Sequence, residues 1–532
     1  MSQSVTSKPE GAKAAPPRPG PGRLRGHPWL SLVVVAIGVM LVALDGTIVG
    51  IASPAIQKDL DASLADIQWV TNAYLLSIAV TLIVIGKLGD RFGHTKIFMA
   101  GALGFIATSA GIGLSGDIKV IIGLRVLQGV FGAMLQPTAL GIIRATFPEE
   151  RLNTAIGIWG AVVAASTAAG PIVGGLLVEH VSWQACFYVN VPVGIVAIVM
   201  GALFLKETHL DREAKSFDVP GIVLLSATLA LLVYGVIKAS DYGWGDAKTL
   251  ALFGGAAVAC VLFVLRESRT KEPLLPLRLF RSVPLVAGTL CVLILAFALF
   301  GVMFYLTFYL QNVHGLSAVD AATRMLPLTG LMVVASPISS KLIDRFGPLP
   351  PIAAGMALTT VAMFGLSTLD LGSGTNATVV WLAILGLGLA PIMVGATDVI
   401  VGNAPVELAG VAGGLQSTAM QVGGALGTSI LGAVMSAKID NVFASRWTDA
   451  HLPALSDAQL DQAKEAVSVG VAPVPSGTPK SAAELITQVS HSTFMDGLHN
   501  ALVVTGSVGV VGILIALLIR RGRKVEGAAV HI

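Results

Sequence analysis

Two ionisable residues stand alone in long apolar runs. Asp45 is the one charged side chain between Trp29 and Ala52, and Arg125 is the one between Val120 and Ile142. A charge that deep in a bilayer is costly, which makes it a candidate for function. Each lies about seven residues from the same side of two oppositely directed runs, so at a rise of about 1.5 Å per residue they share a depth. If both face one cavity, Asp45 is suited to carrying a proton. Burial favours its neutral acid, a neighbouring guanidinium favours its carboxylate, and exchange becomes competition for one group. The alternative is that Asp45 bonds local backbone or pairs permanently with Arg125 as a structural element.

Other polar residues in apolar runs are weaker candidates. Asp398 lies nearer the opposite side of its run, as a second proton or cation site, a gate, or a carboxylate hydrated at the interface. Asp320 and Arg324 stand four apart and are expected to neutralise one another. Trp69, Asn72, Tyr74, Gln128, Gln416 and Gln421 could line a water-filled cavity. Phe297, Phe300, Phe304 and Phe308 share one helical face, suited either to cation–π contact with flat lipophilic cations or to packing and lipid. Cys186, Cys260 and Cys291 lack metal-ligand spacing and suggest no disulfide framework. No G-x-x-x-x-G-K-[ST] phosphate loop, metal set or nucleophile elbow occurs, which argues against an enzyme, a cofactor or ATP as energy source.

The elements that hold these residues are membrane spans. Of 532 residues 54% are hydrophobic and 12% charged, and mean hydropathy is +0.80. A soluble chain carries about 25% charged residues, so most of this exterior must face lipid, and the net charge of +3 gives no hint of nucleic acid. A span needs about 20 apolar residues. Fourteen fit, at roughly 29–52, 67–87, 97–116, 119–142, 152–178, 186–205, 218–238, 247–265, 284–310, 319–340, 351–370, 379–402, 407–437 and 497–519. Residues 1–28 and 520–532 read as cytoplasmic tails, and 438–493 as one long external connector with a short amphipathic helix near Ser456 to Ala466. With the N-terminus inside, 24 Lys and Arg fall in cytoplasmic segments against 8 outside. That bias places both termini in the cytoplasm and makes the span number even.

An internal repeat divides the chain. Lys87-Leu88-Gly89-Asp90-Arg91-Phe92-Gly93 closes the second span and Lys341-Leu342-Ile343-Asp344-Arg345-Phe346-Gly347 the tenth, with six of seven positions identical at an offset of 254. Gly86 to Lys96 resembles the signature loop of the major facilitator superfamily. In twelve-span members the two loops are six helices apart; here they are eight apart, as in the fourteen-span drug:proton antiporters. Leu44-Asp45-Gly46-Thr47-Ile48-Val49 with Pro54, Arg125-Val126-Leu127-Gln128-Gly129, and Trp183 with Asn190-Val191-Pro192-Val193-Gly194 resemble motifs of that branch. Gly160 with Gly170-Pro171-Ile172-Val173-Gly174-Gly175 resembles its antiporter motif in span five.

The resemblance implies an all-α integral membrane protein with the major facilitator fold. Two six-helix bundles (29–206 and 284–519) would flank two inserted spans (207–270), in a bacterial cell membrane and as a monomer. It implies alternating-access export of lipophilic, often cationic, drugs or antibiotics against protons, coupled through Asp45, Arg125 and Asp398. Gly86, Asp90, Arg91, Gly93, Asp344 and Arg345 would form the gating loops, and Gly160, Gly170, Pro171, Gly174 and Gly175 a kinked, closely packed helix. Export of an endogenous metabolite, siderophore, amino acid or lipid remains open on the same fold, as does a non-transporting receptor or scaffold.

Overall fold

The computed structural model describes residues 24–207, 218–270, 273–373, 375–404, 408–475 and 477–519. The tails 1–23 and 520–532 lie outside the described residues. No strand occurs among the described ones. In chain order the helices are α1 Pro28–Leu60, α2 Leu64–Phe92, α3 His94–Leu114, α4 Ile118–Ala133, α5 Leu135–Thr146, α6 Glu149–His180, α7 Ala185–Tyr188 and α8 Asn190–Phe204. They continue with α9 Val219–Tyr242, α10 Ala247–Arg269, α11 Val283–Phe308, α12 Ala318–Phe346, α13 Leu349–Leu366, α14 Thr375–Gly402, α15 Ala409–Asp449, α16 Asp457–Ser468 and α17 Lys480–Ala516. Thirteen helical runs among the described residues are long and apolar enough to cross a membrane; α4 with α5 and α7 with α8 each make one. α2, 29 residues long and uncharged from Val70 to Gly86, brings the count to fourteen.

The repeat seen in the loops extends through whole helices. α2 and α12 are both 29 residues long, and every boundary of one maps onto the other at the same offset of 254. Ser63 and Ser317 cap their N-termini by accepting from the backbone N–H of Asp66 and Asp320, satisfying amides that an open helix end leaves bare. Gly93 and Gly347 end them at φ of 96° and 82°, a left-handed region that a Cβ disfavours. The buried charges do not repeat: Leu299 and Val379 occupy the positions equivalent to Asp45 and Arg125.

Small residues set the closest helix approaches, as expected where lipid removes the hydrophobic drive between helices. On α6, Gly170 and Gly174 face Thr47 and Ile48 of α1; a Cβ on Gly174 would stand 3.0 Å from the Ile48 carbonyl oxygen. Gly423 and Gly427 of α15 pack in the same way on the carbonyls of Leu293 and Phe297 in α11. α1 to α8 form one bundle, and α11 to α15 with α17 form the other. α6 meets α12 and α2 meets α15 across the seam. The inserted helix α9 lies against α2 and α15, with the Tyr234 ring 6.0 Å from that of Trp69, and α10 packs on α9. Asp218 ties this hairpin together, accepting from Gly221 N and from Arg266 Nε at 3.0 Å.

The segment expected as a long connector is largely helical. α15 runs on to Asp449 and α17 begins at Lys480, so only residues 450–479 lie between them. Polar residues in these extensions pair with each other. Arg446 reaches Asp496 at 2.5 Å, and Lys464 of α16 reaches Asp440 at 3.4 Å. The amphipathic helix is present as α16, opened by a capping box between Ser456 and Gln459. Asp320 and Arg324 are not among the ion pairs of the described residues; Asp320 is exposed at the start of α12, where its backbone N–H, not its carboxylate, meets the Ser317 cap.

Candidate functional site

Five helices of the first bundle, α1, α2, α3, α4 and α8, meet around one carboxylate. Asp45 comes from the middle of α1 and has no exposed surface; Arg125, from the second turn of α4, is 1% exposed. Arg125 Nη1 donates to Asp45 Oδ2 at 2.5 Å and to Gln128 Oε1 at 2.7 Å, while Nε donates to the Val70 carbonyl at 2.9 Å. The Tyr74 ring lies 4.0 Å beneath the guanidinium, a cation–π contact, and its hydroxyl donates to the Val42 carbonyl. Asp45 Oδ1 accepts from Gln128 Nε2 and from Asn190 Nδ2, each at 3.1 Å. Both amides also donate to Ser109 Oγ, at 2.6 and 3.2 Å. Two buried charges are thus paired and almost wholly hydrogen-bonded, the condition under which such a pair is tolerated.

The next residues along α1 face the seam. Gly46, Thr47, Gly50 and Ile51 line a cavity of about 30 Å³ with Thr71, Thr428, Phe300, Met303, Phe304 and Thr307. That is room for roughly one water. The Thr71 hydroxyl is buried without a hydrogen-bond partner. Phe297, Phe304 and Phe308 are buried, so the phenylalanine face of α11 turns inward rather than to lipid.

On the side bearing Ser63 and Ser317 the seam is closed by polar contacts between the bundles. Gln68 Nε2 donates across the seam to Tyr305 Oη at 2.6 Å and to the Thr428 carbonyl at 3.3 Å. Tyr305 Oη is held within the second bundle by donating to that same carbonyl, and Asn72 joins Ser429 at 2.9 Å and Thr428 at 2.7 Å across the seam. Gln311 donates to the Ile51 carbonyl. Glu179 of α6 accepts from the Val319 amide at the start of α12. Gly175 lets these helices meet, since a Cβ there would stand 2.8 Å from the Ala318 carbonyl oxygen. On the opposite side a Cβ at Gly157 or Gly160 of α6, Gly330 of α12, or Gly413 or Gly414 of α15 would meet nothing within 4 Å. The contacts just named pack the seam on one side, and on the other these five glycines have open space beside them.

The remaining candidates disperse. Tyr74 and Gln128 belong to the Asp45 network and not to the cavity. Asn72 is in the closed seam, Trp69 faces α9, and Gln416 donates to Thr397 within the second bundle. Gln421 is half-buried on α15, and Asp398 is exposed on α14. Gly160 has no close neighbour, whereas Gly170, Gly174 and Gly175 do, and Pro171 lies inside α6 between them. Asp344 and Arg345 are exposed at the end of α12, the Arg345 guanidinium 5.3 Å from the Phe346 ring. Gly93 ends α2, but the side chains at Gly86, Asp90 and Arg91 lie outside the described residues. Sequence reading passed over Ser109, Gln68, Thr428 and Ser429, placed Tyr305 only beside the phenylalanine face, and took Asn190 only as part of a motif. The four-residue spacing of Gln68 and Asn72 on one helix face was the signal available for the seam.

Residues 35–428 match the Major Facilitator Superfamily. The chain is 53% identical over 529 residues to the tetracenomycin C resistance and export protein of Streptomyces glaucescens, covering 99% of this chain and 97% of that one. It is 32% identical over 401 residues to the riboflavin transporter RibZ of Clostridioides difficile, covering 75% and 87%. Among solved structures, a bacterial homologue of the human lysosomal transporter Spinster, in an inward-facing unoccupied conformation, superposes with a TM-score of 0.64. It covers 92% of this chain and 96% of that one at 17% identity, a likeness of fold.

Proposed function

We propose that this chain, which belongs to the Major Facilitator Superfamily, exports lipophilic antibiotic-like molecules from a bacterial cell in exchange for protons. It is a membrane transporter of small molecules and not an enzyme. The observation that carries the proton reading is the Asp45–Arg125 pair, sealed from solvent yet one residue from the cavity between the bundles. The antibiotic reading rests on the Streptomyces relative, alike over almost its whole length.

The excess of Lys and Arg in the segments next to both termini supports a cytoplasmic location for them. The closed side of the seam is then external and the side with the open glycines cytoplasmic, so this conformation receives cargo from inside. With Asp45 ionised, its charge is balanced by Arg125 and the carboxylate needs no proton. A proton arriving from outside neutralises Asp45 and leaves the Arg125 charge uncompensated in a dry site. That changes the relative energy of the two seam arrangements, and such differential energy is what an exchange mechanism requires. The α2 and α12 terminal loops, with Asp90, Arg91, Asp344 and Arg345, would close the cytoplasmic side in the other state. Asp398 would meet cargo or protons at that mouth. All groups in the scheme come from one chain, in keeping with a monomer.

The test is transport in proteoliposomes with imposed pH and Na⁺ gradients, against a panel of aromatic antibiotics and lipophilic dyes. Accumulation driven by the pH gradient alone supports the reading, and accumulation driven only by Na⁺ refutes proton coupling. The likeness to a riboflavin transporter favours a second reading, in which the cargo is a vitamin-like metabolite; riboflavin belongs in the same panel.

A further inference from the structure

The two amides that touch Asp45 are not equivalent. Gln128 is fixed at both ends: its Oε1 accepts from Arg125 Nη1 at 2.7 Å and its Nε2 donates to Asp45 Oδ1 at 3.1 Å. Turning it would aim an NH₂ at a guanidinium. Asn190 is fixed at one end only. Its Nδ2 donates to Asp45 Oδ1 at 3.1 Å and to Ser109 Oγ at 3.2 Å, while its Oδ1 has no hydrogen-bond partner. The residue is 1% exposed, and a buried amide oxygen left idle carries a desolvation cost that native sites rarely leave standing without a reason.

The chemistry of a protonated Asp45 supplies one. An ionised carboxylate only accepts, whereas the neutral acid must also donate its O–H. Asp45 Oδ2 faces Arg125, a donor with nothing to accept, so the proton belongs on Oδ1. There it meets two N–H groups, a donor against donors. A half-turn of the Asn190 amide removes the conflict, because Oδ1 of Asn190 then accepts from the Asp45 O–H and from the Ser109 hydroxyl. In the ionised state the same half-turn would set oxygen against oxygen, so the charge on Asp45 decides the orientation. We infer that Asn190 is a positioning residue whose side-chain amide turns over when Asp45 takes up its proton, holding that proton on Oδ1. The proton comes from water and stays on Asp45; no other bond is made or broken. The inference rests on the reading that Asp45 is the proton carrier.

Infrared difference spectra between high and low pH, taken on the purified transporter, read both groups at once. A carboxylic C=O band that appears on acidification and is lost in Asp45→Asn reports protonation of Asp45. With ¹³C-labelled asparagine, the unmodified sequence is expected to show an isotope-shifted side-chain amide band in the same transition. Asn190→Leu, of similar volume and without an acceptor, is expected to abolish that band and to move the Asp45 acid band to higher frequency. No asparagine band in the labelled protein, or an acid band unmoved in Asn190→Leu, overturns the inference. Absence of any Asp45 acid band, with transport still driven by the pH gradient, instead overturns the reading beneath it.

Discussion

Arg125 Nη1 stands 2.5 Å from Asp45 Oδ2, joining α4 to α1 at a level where neither residue touches solvent. The second bundle has leucine and valine at the equivalent places, so the buried Asp–Arg pair of this twofold repeated architecture has no counterpart in the other half. The other half contributes the phenylalanine face and shares the polar seam with Gln68 and Asn72 of the first.

Removing one partner of this pair strands the other charge, whereas removing both does not. Arg125→Met is expected to cost about 3–5 kcal/mol of stability, the range for breaking a buried ion pair. Asp45→Asn combined with Arg125→Met should recover most of that loss without restoring pH-driven transport. Thermal unfolding in detergent alongside transport checks this; a double variant no more stable than Arg125→Met would show that the pair is not balanced by charge alone.

The seam closed by Glu179 and Val319 should open when Gly175 gains a side chain. A Cβ there meets the Ala318 carbonyl carbon at 3.1 Å and Ala322 Cβ at 3.1 Å, and both sit in packed helices. A cysteine pair at Glu179 and Val319, with exposed Cys260 replaced by alanine, is expected to cross-link readily and to halt transport. Adding Gly175→Val should lower the cross-linking yield severalfold. Equal yields would mean that the two bundles do not meet there in the membrane.

Tyr305→Phe deletes a hydroxyl that accepts from Gln68 at 2.6 Å and donates to the Thr428 carbonyl at 3.0 Å. One hydrogen bond across the seam is lost, at a net cost of roughly 1 kcal/mol, together with one inside the second bundle that positions the hydroxyl. The same cross-linking assay should register about a fivefold shift away from the closed arrangement. An unchanged rate would assign this polar layer to packing within the bundles.

The spans and the repeat were legible because a bilayer allows few solutions: apolar length, basic loops and the Lys-Leu-x-Asp-Arg-Phe-Gly pair suffice. Depth alone put Asp45 beside Arg125 as a possibility. The facing of uncharged polar residues was not legible. Tyr74 was grouped with cavity residues because a tyrosine in a span needs a partner, but its partners are a guanidinium and a carbonyl contributed by other helices. Gln68 and Tyr305 meet across 237 positions of sequence, and no local pattern records that. The helical extensions around Arg446 and Asp496 were hidden for a related reason. Polar composition reads as loop until the second helix supplies the opposite charge.

His314, in the turn before α12, has its pKa lowered by burial and by the nearby Arg324 charge. The folded protein therefore resists protonating it at a pH where the unfolded chain would take the proton. Stability is fully present above the ordinary histidine value near 6.5 and falls as pH drops below it. His314→Gln should flatten the decline of melting temperature between about pH 6.5 and 5. A decline as steep as before would assign the acid sensitivity to other groups.

The most direct measurement of the central claim is proton release by the purified transporter in unbuffered detergent solution when cargo is added, followed with a pH-sensitive dye. Cargo that competes with the proton on Asp45 should release protons on binding to the unmodified protein at mildly acidic pH. Asp45→Asn should bind the same cargo and release none, and in proteoliposomes it should equilibrate cargo without concentrating it. Undiminished proton release, or uphill transport driven by a pH gradient, in Asp45→Asn would contradict the account.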